Sequence, residues 1–244
     1  MKIRILAVRT GKEILRDPLN IAFGIGFPVV LLLLLSAIQA NVPVSLFEIN
    51  QLAPGIAVFG LSFISLFSGV LIAKDRSSSF MMRMLSAPVS APAFIIGYIL
   101  PLVPVALAQS IVCFAVALLL GAKLSVYMLL ALLVLLPTAV LYISIGLLAG
   151  SLLNDKQVGG VCGALLTNVS AWLSGIWFDL SLIGGAFETA AKLLPFAHAV
   201  KAAQAAFSGE LSSVFPSLWW VIGYAGAFML LAVWVFSRRT LAKE

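Results

Sequence analysis

The sequence predicts an all-α membrane protein with six transmembrane helices. An amphipathic interface helix precedes the first, a short cytoplasmic helix joins the second to the third, and an outer amphipathic or re-entrant helix precedes the last. Three observations predict this fold. The 244 residues are 62% hydrophobic and only 10% charged, with a mean hydropathy of +1.15, whereas a soluble domain is nearer half apolar and a quarter charged. Six apolar runs reach the ~20 residues that cross a hydrocarbon core. The Lys and Arg residues collect in alternate gaps between those runs.

The chain begins with a basic amphipathic segment over 1–17. Ile3, Leu6, Ala7 and Ile14 share a helical stripe, with Lys2, Arg9, Lys12 and Arg16 opposite. That pattern lays a helix in the plane of an anionic leaflet; the plainer reading is a solvated basic tail. Pro18 is expected to end the helix, with Asp17 extended before it. The next apolar run is of spanning length and no small-residue cleavage site follows, so no cleaved signal peptide is expected.

The spans are 19–38, 52–73, 94–120, 124–148, 158–178 and 218–236, forming one transmembrane domain. None contains Asp, Glu, Lys or Arg, each of which costs about 2.5–3.5 kcal/mol at a helix centre. Pro101 and Pro104 are expected to kink or break the third span. The fifth is dense in Gly159, Gly160, Gly163 and Ala164, which suits close helix approach. Placing the N-terminus inside puts twelve Lys and Arg residues in cytoplasmic segments and leaves Lys123, Lys192 and Lys201 outside. The positive-inside rule therefore predicts a multi-pass protein with both termini cytoplasmic. Cations dispersed in this way argue against nucleic-acid binding, which clusters them.

Two segments between spans are organised. In the cytoplasmic loop 74–93, Ser77 caps a helix over 77–86 closed by Pro88 and Pro92. Phe80 and Met84 pair at i, i+4, as do Met81 and Leu85, with Arg76 and Arg83 elsewhere. Exposed Met and Phe at a membrane edge suit docking to a protein partner; the alternative is packing against lipid. In the outer segment 179–216, Phe196, Val200, Ala203 and Phe207 form a stripe on a helix that lies on or dips into the outer leaflet, with His198 and Lys201 on its other face.

The usual catalytic patterns are missing. No Gly-rich Lys-Ser/Thr loop, Gly-x-Ser-x-Gly or His-Glu-x-x-His occurs, and these would mark nucleotide binding, acyl transfer or zinc hydrolysis. The one histidine, His198, reads as an interfacial polar residue, and Cys113 and Cys162 as buried packing residues. No catalytic, cofactor or metal residue is expected, and no intramembrane carboxylate pair suggests a proton relay. The chain is then passive or driven by a partner. Candidate path residues are the polar and aromatic ones inside spans: Tyr98, Gln109, Tyr142, Asn168, Trp172 and Phe178. Gln109 and Asn168 read equally as helix–helix hydrogen bonders, and the aromatics as packing or belt residues.

Four motifs point to a family. Arg16-Asp17-Pro18-Leu19 followed by Phe27-Pro28 opens the first span. The loop carries Lys74-Asp75-Arg76, Phe80 and Arg83-Met84-Leu85-Ser86-Ala87-Pro88-Val89. Ser174-Gly175-Ile176-Trp177-Phe178 ends the fifth span, and Leu194-Pro195-Phe196-Ala197-His198 precedes the sixth. In this order the chain resembles the membrane subunit of an ATP-binding cassette (ABC) transporter of the ABC type-2 permease class, over nearly its whole length. It departs from the pattern where Ala171-Trp172-Leu173 replaces a proline before Ser-Gly, and in 179–186, which lacks one. The resemblance implies a bacterial or archaeal cell (inner) membrane, a second permease subunit, identical or not, and a separate ABC ATPase that binds the ATP and Mg. It implies no cofactor in this chain and no enzyme activity of its own. Asp75, Arg76, Phe80, Met81, Arg83, Met84 and Leu85 would couple to that ATPase, together with the N-terminal helix. The cargo, for an uncharged aromatic path, would be a hydrophobic or amphipathic drug, antimicrobial peptide or lipid, moved outward. The alternative is a channel or secondary carrier that works without ATP; an intramembrane enzyme lacks the groups it would need.

Overall fold

The computed structural model describes residues 2–43, 47–78 and 90–241. Among these there are helices and turns and no strand. Helix α1 spans Lys2–Leu15. Leu6, Ala7 and Thr10 form its buried side, whereas Ile5, Val8 and Leu15 are exposed beside Arg4, Lys12 and Arg16. The apolar stripe is thus narrower than the sequence pattern suggests, and Arg9 turns inward rather than joining the cations opposite.

Asp17-Pro18 proves to start a helix as well as end one. The Asp17 carboxylate accepts hydrogen bonds from the Asn20 backbone N–H at 3.1 Å and from Asn20 Nδ2 at 2.6 Å. A capping acid followed by proline at the first helical position suits a helix N-terminus, where backbone N–H groups are otherwise unpaired. Helix α2 runs from there as Pro18–Ile21, a π-helical stretch Ala22–Gly26, and Phe27–Gln39.

Helices α3 (Ile49–Ser77), α4 (Ala91–Leu119) and α5 (Val126–Leu152) form the long core. A helix of 29 residues is about 43 Å long, against a hydrocarbon core of ~30 Å. α3 therefore continues past 73, where its apolar run ends, and carries Asp75 and Arg76 in its last turn rather than in a loop. α4 is unbroken across Pro101 and Pro104. α6 begins at an Asn154–Gln157 capping box and runs as Asp155–Val158, a π-helical stretch Gly159–Leu166, and Thr167–Leu173. Two short helices, α7 (Gly185–Leu193) and α8 (Pro195–Ser208), lead into α9 (Leu211–Phe236).

Among the described residues five helices are long and apolar enough to cross a membrane: Ala22–Gln39, Ile49–Ser77, Ala91–Leu119, Val126–Leu152 and Leu211–Arg239. The chain is a multi-pass membrane protein. The difference from six lies in 158–178. There the helix starts in a polar turn at Asp155 and stops at Leu173, and Gly175 at φ +77° carries the chain out of it. The last helix also begins earlier than its apolar run, at Leu211, with Pro216 inside it. The stripe Phe196, Val200, Ala203 and Phe207 on α8 is buried, packed on α5, α9 and α3. It faces protein rather than an outer leaflet.

α3 is the hub, in contact with α2, α4, α5, α6 and α8. It meets α5 backbone to backbone. A Cβ on Gly146 would lie 2.0 Å from the Ser65 carbonyl oxygen, and one on Gly150 would lie 2.1 Å from that of Gly69. Ser68 Oγ donates across the seam to the Ile143 carbonyl at 3.1 Å. Small residues at such positions let packing and interhelical hydrogen bonds replace the hydrophobic drive that lipid removes.

Candidate functional site

The α1 end of the bundle holds the most concentrated polar structure among the described residues. Asp75, in the last turn of α3, is 3% exposed. A buried carboxylate must be paired or it would neutralise, and two other helices supply its partners. From α1, Arg9 reaches it with both arms of the guanidinium: Nη2 donates to Oδ1 at 2.7 Å, and Nη1 donates to Oδ2. From α4, the fully buried Tyr98 donates its hydroxyl to Oδ2. Arg9 also holds Glu13 one turn along α1, at 2.8 Å. The hydrogen bond to Asp75 raises the Arg9 pKa above its ordinary value. Burial raises that of Glu13, with the Asp75 charge adding to it and Arg9 opposing.

A second arginine, beside this cluster, secures another helix. Arg76 Nη1 donates to the Gly150 carbonyl at 2.6 Å and to that of Leu153 at 3.3 Å, and Arg239 Nη1 donates to Leu152 at 3.3 Å. Both cations sit on the C-terminus of α5, where unpaired carbonyls and the negative end of the helix dipole favour them. Asp75 and Arg76, named together as coupling residues, therefore tie α3 to α1, α4 and α5. Phe80, Met81, Arg83, Met84 and Leu85 lie in 79–89, outside the described residues.

The path candidates do not gather in one place. Tyr98 belongs to the Asp75 cluster. Gln109 is fully buried and donates to the Ala57 carbonyl of α3 at 3.3 Å. Tyr142 is also fully buried, its hydroxyl hydrogen-bonded to Ser170 of α6. Asn168, Trp172 and Phe178 are at least partly open. Asn168 Nδ2 donates to the Ala164 carbonyl of its own helix at 2.8 Å. Trp172 is 55% exposed and lies 6.0 Å from Phe178, which in turn lies 6.2 Å from Phe187.

At the opposite end of α3 a cleft of about 760 Å³ opens between the start of α3, the chain after α6, and α7–α8. Gln51, Trp177, Phe178, Asp179, Lys201 and Gln204 are among its lining residues. Mixed aromatic and polar walls can hold an amphipathic molecule. Of its lining, sequence reasoning named only Phe178 as a path residue. It also read Arg9 merely as an orienting cation. One signal pointed to a partner: Asp75 is an acid close to the end of an apolar run, and an acid buried there needs a partner.

No curated protein matches the chain. Residues 1–208 match the ABC-2 type transporter family, the one its four motifs resemble. With a family match over most of its length and a bundle of membrane-length helices, the chain belongs to the ABC-2 type transporters and is a transporter's membrane domain.

Proposed function

We propose that the chain is the permease subunit of an ATP-binding cassette exporter, moving a hydrophobic or amphipathic compound outward with energy from a separate ATPase subunit. The α1 end faces the cytoplasm in the cell (inner) membrane of a bacterium or archaeon, with both termini on that side. A second permease subunit, identical or a sister chain, completes the path, and ATP and Mg reside on the ATPase. The observation that carries this reading is the family match over 1–208. The wiring of the α1 end supports it, because the helix that leads into 79–89 is bonded there to three other helices. Aromatic and uncharged polar groups that are at least partly open, Asn168, Trp172 and Phe178, favour an amphipathic cargo over an ion.

The test is purification from native membranes with a tag on this chain. An ABC ATPase is expected to co-purify, and the reconstituted complex is expected to hydrolyse ATP faster with some members of a panel of hydrophobic drugs, peptides and lipids. A chain that purifies without an ATPase and moves such compounds without ATP would instead be a channel or secondary carrier.

A further inference from the structure

The Arg9–Asp75 pair joins two helices whose backbones make little contact with each other. α1 packs its backbone on α4, where Leu6 lies against Gly97 and Gly11 faces Pro101. Between α1 and α3 backbone contact is slight, and Arg9 spans the gap with a bidentate fork. Tyr98 brings α4 to the same carboxylate. One side chain of α3 is therefore held by two helices at once.

Stability alone does not explain an ionic junction here. Replacing a buried ion pair by apolar side chains of similar size is often neutral or stabilising, while such pairs can fix one relative arrangement of the parts they join. A bidentate guanidinium–carboxylate pair sets both distance and orientation. An apolar contact would let α1 slide over α3. The fork fixes the distance and orientation of α1 relative to α3.

We propose that the Arg9–Asp75–Tyr98 junction is the link that passes movement of the α1 end of α3 to α1 and α4, so that the three helix ends shift together when the ATPase binds and hydrolyses ATP. Asp75 is thereby a positioning residue that acts through Arg9 and Tyr98, and docking of the ATPase falls to other residues. This rests on the chain being an ATP-driven permease.

The experiment uses the complex purified with its co-purifying ATPase. Nitroxide labels are placed on cysteines at Val8 in α1 and Leu129 at the far end of α5, away from the Arg76 tie, both exposed. The native Cys113 and Cys162 are buried and stay unlabelled. Wild-type complex is expected to change the label distance when trapped with ATP and vanadate. The paired variant Arg9→Met/Asp75→Leu is expected to assemble and trap nucleotide but to lose that change. A merely structural role would lower the yield of complex and leave the distance change in what remains. Should the paired variant fail to fold, Arg9→Lys keeps the charge and loses the fork, and the change is then expected to shrink. A full wild-type change in whichever variant folds, or no change in the wild type, overturns the proposal. Absence of any ATPase overturns the reading of the chain as an ATP-driven permease instead.

Discussion

The α3–α5 seam and α6 are both rich in glycine, and only the seam uses it to bring two backbones together. Gly69, Gly146 and Gly150 interlock with Ser65 and Ser68 so tightly that no Cβ has room. Gly159 and Gly160 of α6 face open space, with nothing within 4 Å of an added Cβ. The open glycines lie in a π-helical stretch, which costs hydrogen-bond geometry and recurs at functional sites. α2, whose face is also largely exposed, has a π-helical stretch as well, at Ala22–Gly26. The contrast separates a core packed backbone to backbone from flanks with largely open surroundings.

The sharpest way to break this contrast is at the seam. Gly146→Leu must push α3 and α5 apart, a cost of more than about 4 kcal/mol. Loss of monodisperse protein in detergent chromatography is the expected outcome, and a stable variant would dissolve the distinction. Next in size is Asp75→Ala, which takes the acceptor from Tyr98 and one of two carboxylate partners from Arg9, which keeps Glu13. Arg9 is one third exposed, so the loss is expected near the low end of the range for a broken buried pair, about 3 kcal/mol, read as a drop in thermal midpoint in detergent. Tyr142→Phe removes the hydroxyl bonded to Ser170, the polar tie between α5 and α6. A loss of about 0.6–1 kcal/mol is expected, and a larger one would make α6 part of the core. Smallest is Gly159→Ala. The residue is helical at φ −54° and its surroundings are open. No loss, or a gain of up to about 1 kcal/mol from helix propensity, is expected in the same melt. A marked loss would show that the π-helical stretch needs glycine.

The same glycines show why part of the fold is legible in sequence and part is not. Twenty apolar residues without a charge report a span, because the penalty for charge in hydrocarbon acts on each run by itself. That located α2, α3, α4, α5 and α9. Which face meets which neighbour depends on pairs distant in the chain. Gly159 and Gly160 were therefore natural candidates for close packing, and Gly146 and Gly150 were not. Arg9 and Asp75 are 66 residues apart, and composition reports Arg9 only as a basic residue near a membrane. The ends of α3 and α9 overshoot their apolar runs because helix hydrogen bonding continues wherever side chains can be satisfied, as Asp75 and Arg76 are. α6 reverses this: its apolar run continues to 178, but the backbone leaves the helix at Gly175.

The placement of the seam also sets a mechanical ratio. α3 is held most tightly over 65–69. At 1.5 Å per residue, Asp75 lies about 12 Å beyond the middle of that grip and Gln51 about 24 Å before it. A stiff rod pivoting there has unequal arms. A shift of about 1 Å at Asp75 becomes about 2 Å at Gln51, which lines the cleft at the other end. A pivot at the seam would make α3 a lever, with the short arm at the carboxylate and the long arm at the cleft.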